Sequence, residues 1–355
     1  MRISDLGRYA FGICAAVAML AGCGGSQPPM LGPTGFNGET AARGLAGLST
    51  LTAVRAGSMN PDHSASWISP ELKRSTKPVL FVSDFSTGDV YIYKLPTLKL
   101  IGTLTGFSGP QGECYDTKGN VWITMSGIQQ IGEFSHTGVL ENVLTDSVGY
   151  PVGCAWDSTT GNLAVTNYEG ITGAGSVLVY AHASGSPTAY TNPSQYFYFF
   201  AGYDTKGNLF FDGQNLTGVF MLSELPKGAA KAHTVEVIGG TIYFPGTVEW
   251  YTAGNYLIVG DQKCGGATAS CLYRVSIAQK FGTILGKIKL NGYTGKTTCD
   301  VSQGTEWNNK FYGSDYNQCG TLPSTTYIWP FPTGKTPLAY NNAVDTEPSG
   351  AAVSK

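Results

Sequence analysis

Five polar residues recur directly behind short apolar runs: Asp84 after Val-Leu-Phe-Val-Ser, Asn167 after Leu-Ala-Val-Thr, Asp212 after Leu-Phe-Phe, Asp261 after Tyr-Leu-Ile-Val-Gly and Asp315 after Phe-Tyr-Gly-Ser. Gln111, Glu113 and Gln303 stand ahead of other runs of the same kind. Gathered on one rim, such carboxylates and amides would supply the hard oxygen donors that Ca²⁺ takes, or the hydrogen bonds that orient a polar ligand. Other chemistries find less support. There is no Ser/His/Asp order, phosphate-binding loop or CxxC pair, and the four histidines lack ligand spacing, which speaks against zinc. His136 and His182 recur at matching places and read as surface residues of a repeat.

The elements that must position these residues follow from composition and period. Charged residues are 13% of 355, about half the usual share, while 48 glycines and 12% aromatics favour strands joined by tight turns. A helical bundle is excluded. A net charge of -2 with no basic run removes the electrostatic footprint of a nucleic-acid binder, and 42% apolar residues are enough for a core.

A turn followed by an apolar strand returns at Pro78, Asn120, Asn162, Asn208, Asn255 and Asn309, at intervals of 42, 42, 46, 47 and 54 residues. A second strand precedes most of these turns, as in Pro-Gln-Gly-Glu-Cys-Tyr-Asp ending at Asp116 and Pro-Val-Gly-Cys-Ala-Trp-Asp ending at Asp157. It carries one aromatic per repeat: Tyr115, Trp156, Tyr203, Trp250 and Trp307. At constant register these rings are expected to pack repeat on repeat, in preference to stacking on a carbohydrate. Third and fourth strands follow. Four strands in about 45 residues predict a propeller blade, hence an all-β six-bladed β-propeller of four antiparallel strands per blade. The first repeat lacks its upstream strand, and Pro-Ser-Gly-Ala-Ala-Val-Ser, ending at Ser354, supplies the missing pattern, so the C-terminal strand is expected to close the first blade. A closed ring of this kind is expected to be a monomer.

Over about residues 75–354 the repeats resemble NHL-type six-bladed propellers and the streptogramin lyase-like and gluconolactonase-like proteins, whose units read Pro-x-Gly-x-x-x-Asp, Gly-Asn, then an apolar pair and Asp. In such repeats an aspartate behind the apolar run ties down its own loop through backbone N–H groups, and this is the favoured account of the polar rim. The resemblance also implies an alternative, a metal-dependent lactonase or lyase with Asn167, Asp212 and Glu113 as ligands. Val152 and Thr247 stand where that family carries asparagine, which departs from its cation site.

Two arginines, an apolar run of about a dozen residues and Leu-Ala-Gly-Cys ending at Cys23 open the chain. The run is shorter than the roughly 20 residues that span a bilayer, and it resembles a bacterial lipoprotein signal over residues 1–22, with Cys23 carrying the lipid. Residues 23–64, rich in Gly, Ser, Ala and Pro, read as a flexible tether, and 65–355 as the propeller. Strand parity in the repeats allows a bond between neighbouring blades from Cys114 to Cys154, while Cys264 and Cys271 bracket one loop and Cys299 and Cys319 fall on one rim. Three disulfides fit an exported protein, periplasmic or on the cell surface. The function expected is a membrane-anchored, non-catalytic module that binds a protein, glycan or small ligand at the rim formed by Asp84, Gln111, Glu113, Asn167, Asp212, Asp261, Gln303 and Asp315.

Overall fold

The computed structural model describes residues 66–316 and 323–355, so the signal, Cys23, the tether and Cys319 lie outside the described residues. Over the described residues the chain is all-β, with three single-turn 3₁₀ segments, in a propeller-like arrangement of sheets. Each landmark strand is buried on both faces, which is why it reads as a continuous apolar run and not as an alternation. In Val79–Asp84, Val79 and Phe81 enter one apolar cluster with Val121, Ile123 and Phe134 of the next sheet, while Leu80 and Val82 enter another with Tyr312 and Ile328. Six such clusters occur, each shared by two successive four-stranded runs. The core is therefore a set of interfaces between sheets.

By hydrogen bonding there are five sheets among the described residues. Three have four strands each, and begin at Pro110–Tyr115, Gly149–Trp156 and Val301–Trp307. A fourth has five strands, because Trp67–Ile68 adds to the edge strand Lys99–Leu104. The fifth has eight. It consists of two antiparallel runs of four, starting at Phe197–Tyr203 and Pro245–Tyr251, whose last strands His233–Ile238 and Phe281–Lys289 pair in parallel through Glu236↔Phe281 to Ile238↔Thr283. The expected count of separate four-stranded sheets thus differs because two outer edges meet and share a ladder.

Ring closure is made by the C-terminal strand. Pro348–Ser354 pairs antiparallel with Val79–Asp84, from Val79↔Ser354 to Asp84↔Pro348, with Ala351, Ala352 and Val353 fully buried. The strands Pro110–Tyr115, Gly149–Trp156, Phe197–Tyr203, Pro245–Tyr251, Val301–Trp307 and Pro348–Ser354 each pack against the next, and the last against the first. They are the inner strands. The glycine of the Pro-x-Gly pattern makes this approach possible: a Cβ on Gly153 would lie 2.5 Å from the carbonyl oxygen of Phe199 on the next inner strand. Hydroxyls then tie the ring across, Ser126 Oγ donating to the Pro151 carbonyl at 2.7 Å and Ser349 Oγ to the Pro110 carbonyl at 3.1 Å.

The aspartate that ends the repeat pattern folds the following turn. Asp116 Oδ1 accepts from the amides of Lys118 and Asn120 at 2.8 and 2.9 Å, and Asp204 repeats this with Lys206 and Asn208. Gly119 at φ +85° completes the turn in a conformation that side chains disfavour.

Two of the expected disulfides are present. Cys114–Cys154 joins neighbouring inner strands and Cys264–Cys271 closes a short loop; Cys299 is also disulfide-bonded. These bonds indicate an oxidising, extracytoplasmic setting. No helix among the described residues is long and apolar enough to cross a membrane.

Candidate functional site

The predicted rim is used mainly to hold the fold. Asp84 accepts from the amide of Thr87 at 3.1 Å and from those of Thr346 and Glu347 at 2.6 and 3.0 Å, fastening the segment that leads into the closing strand. Asp212 accepts from the amides of Phe200 at 2.9 Å and Gly246 at 3.0 Å, the second on the next inner strand. Asp261 takes the amides of Tyr243, Phe244 and Lys263, and Asp315 that of Cys299. All four carboxyls are buried. Burial pushes the Asp212 and Asp261 carboxyls up despite these amide donors, well above the usual range for Asp212. Asn167 is fully buried beside Asp146, but the pair falls short of hydrogen-bond geometry. Gln111 donates to Ser126 Oγ at 2.8 Å.

For a divalent cation these donors are a poor fit. Both Asp212 oxygens are taken by amides, and among the described residues no three His, Cys, Asp or Glu side chains converge as a metal set. The two histidines serve the fold: His136 Nδ1 bonds Ser354 Oγ on the closing strand at 2.9 Å, and His182 Nδ1 donates to the Thr160 carbonyl at 2.9 Å.

The open space lies at the other end of the ring, where the inner strands finish. A cavity of about 430 Å³ there draws lining residues from all six inner strands. Tyr115, Trp156, Tyr203 and Trp250 stand around it, each half-buried. Trp156, Tyr203 and Trp250 pack between repeats as expected, Trp250 stacking on Phe210 with centroids 6.1 Å apart and planes at 17°. The same rings also keep a free portion toward the cavity. Trp307, the fifth of the series, packs on Tyr312 instead.

Acidic groups complete the wall. Glu113 and Gln303, two of the predicted rim residues, line the cavity, with Gln303 Oε1 accepting from the Glu113 amide at 2.9 Å across the ring. Glu113 is 2% exposed, and burial pushes its pKa well above the carboxylate range; the amides of Ala352 and Ser83 lie near enough to oppose this but fall short of hydrogen-bond geometry, so its two carboxyl oxygens have no hydrogen-bond partner. Glu249 accepts from Thr305 Oγ1 at 3.0 Å and from the Glu306 amide at 2.5 Å. Only part of its surface is free, and this burial, with the Glu306 carboxyl as a lesser cause, pushes it up to about 8. Lys355 stands over the Tyr115 ring, Nζ 4.3 Å from the centroid, and burial lowers its pKa although Glu249 and Glu306 pull the other way. Sequence reasoning overlooked Glu249, Glu306 and Lys355. The signal was present in the repeated Glu-Trp pair, Glu249-Trp250 and Glu306-Trp307.

Fold and site together define a β-propeller protein with a pocket on the ring axis. No protein-family model matches the sequence, and no curated protein matches it. Among solved structures the chain is similar to a chain of the crystal structure of a nidogen/laminin complex, with 13% identity, a TM-score of 0.61 and coverage of 79% of this chain and 99% of that one. It is also similar to a protein of unknown function from Bacteroides caccae, with 10% identity, a TM-score of 0.58 and coverage of 79% and 100%. At these identities the likeness defines the fold alone.

Proposed function

We propose that this chain is an exported, lipid-anchored binding module: a six-bladed propeller of the NHL type, held at Cys23 on a membrane by a flexible tether, that takes a small polar ligand or a protruding group of a larger one at the mouth of its central channel. The observation that carries this reading is the cavity into which all six inner strands feed, ringed by four half-exposed aromatics with carboxyls between them. Aromatic faces with a few convergent polar groups are what ligand pockets are built from, and about 430 Å³ lies within their usual size range. The six apolar interfaces support counting the eight-stranded sheet as two blades. A non-catalytic role is favoured because the one hydroxyl–carboxyl pair in the cavity wall, Thr305 with Glu249, also holds the Glu306 amide and so fastens neighbouring inner strands, and because the opposite rim spends its carboxyls on backbone amides.

The test is a thermal-shift screen of the full chain against neutral oligosaccharides, amines and carboxylates, repeated on Trp156→Ala and Trp250→Ala. A class that raises the melting temperature of the wild type and not of the variants supports the reading; equal shifts in all three proteins would place the ligand elsewhere. Anchoring is checked separately by incorporation of labelled palmitate, which Cys23→Ser should abolish.

A further inference from the structure

We infer that the channel-mouth cavity is a site for an organic ammonium cation, a primary amine or a quaternary ammonium group, held between the aromatic rings and the carboxyls of Glu249 and Glu113. This rests on the proposal that the cavity is the ligand site, and names the ligand class.

Three observations carry it. The first is the charge of the wall: Glu113, Asp116, Asp204 and Glu249 line the cavity against the single base Lys355. With Glu249 ionised, above about pH 8, an anion would meet repulsion from this wall and a neutral sugar would leave its charge unbalanced. The second is that the wall already holds an ammonium of its own. Lys355 Nζ lies 4.3 Å from the Tyr115 ring centroid and is drawn toward Glu249 and Glu306, which is the geometry by which aromatic faces attract cations. The third is a further property of one of these wall groups. Glu113 is 98% withdrawn from solvent, borders the cavity, and has two carboxyl oxygens without partners. A buried carboxyl without a donor is costly, and an ammonium brings up to three N–H donors or a compact positive charge to meet it.

Lys355 therefore acts as an internal occupant that an incoming cation displaces. Glu249 adds a pH dependence. It is faced by Glu306, Lys355 and Tyr115, and with burial holding it protonated up to about pH 8, its full negative charge develops only above that point. A quaternary ammonium keeps its charge at every pH, so its affinity should rise between pH 6.5 and 9.

The experiment is calorimetric titration of the full chain with butane-1,4-diamine, with butane-1,4-diol as its neutral counterpart, and with tetramethylammonium. The diamine is expected to bind at least about tenfold more tightly than the diol, as a charge-assisted contact should. Glu249→Gln should weaken the diamine by about tenfold. Lys355→Ala, which leaves the inner strands intact, should tighten both cations by about two- to tenfold, since it removes the competitor from the ring. Diol binding as tight as diamine binding, or cation affinity unchanged in Lys355→Ala, overturns the inference. Binding of a neutral oligosaccharide that is lost in Trp156→Ala, together with no cation binding, overturns the ammonium assignment while sparing the pocket; no shift with any class removes both.

Discussion

Replacing Asp212 by alanine separates an architectural role for the rim from a metal-binding one. The carboxyl is fully buried and each oxygen accepts one amide, from Phe200 on its own sheet partner and from Gly246 on the next inner strand. Removal orphans two buried N–H groups, each worth about 1–3 kcal/mol. Part of that loss is returned, because the carboxyl is itself strained by burial, as its strongly raised pKa records. The expected net cost is therefore near the lower half of the sum, about 2–4 kcal/mol. For a domain of this size that is a fall in melting temperature of about 3–7 °C. Asp212→Asn keeps one acceptor and should cost roughly half as much. Urea and thermal unfolding, followed by circular dichroism with EDTA and with excess Ca²⁺, provide the readout. The drop should be the same under both conditions. A wild type stabilised by Ca²⁺, with that increment absent in Asp212→Ala, would refute the architectural account, as would a cost below about 0.5 kcal/mol.

Three further outcomes are expected. Closing a loop of 40 residues should make Cys114–Cys154 worth about 4 kcal/mol, against about 2.5 kcal/mol for the 7-residue span of Cys264–Cys271, so the two paired Cys→Ala variants should rank in that order in urea midpoints. Deleting residues 346–355 removes the closing strand and the amides held by Asp84, and should abolish the cooperative transition; an unchanged melting temperature would show that closure does not matter. Glu249 has a folded pKa raised from 4.5 to about 8, so its contribution to stability is fully present below about pH 4.5 and is lost as pH rises through 8. Glu249→Gln should flatten the fall in melting temperature between pH 6 and 9, and an identical slope in both proteins would contradict the burial of this group.

Much of the architecture was legible because repetition is a sequence-level property. The apolar runs at Val79–Asp84, Leu209–Gln214 and Tyr256–Asp261 are buried on both faces, so their composition announces them without knowledge of their neighbours. Strand parity placed Cys114 opposite Cys154 for the same reason. The merging of two sheets through Glu236↔Phe281 was not legible, since outer edges of different repeats meet only after both have folded and twisted. The site was half legible. The aromatic series was visible, but its members were assigned to packing alone, because a ring that is buried on one side and free on the other looks the same in sequence as one buried on both.

The chain by itself determined the repeat, the turn chemistry of Asp116 and Gly119, the closing role of Pro348–Ser354 and the pairing of its inner-strand cysteines, all of which depend on local geometry or on period. Tertiary structure alone decided which end of the ring is occupied. The aspartates of the predicted rim found backbone amides at the entry of the inner strands, whereas at the exit the strands leave a gap on the axis that Glu113, Tyr115, Trp156, Glu249 and Lys355 surround from different places in the sequence. Whether a polar side chain is consumed by a neighbour or left facing a cavity depends on contacts between different strands, from Asp212 with Phe200 twelve positions away to Asp84 with Thr346 262 positions away, and no local pattern records those.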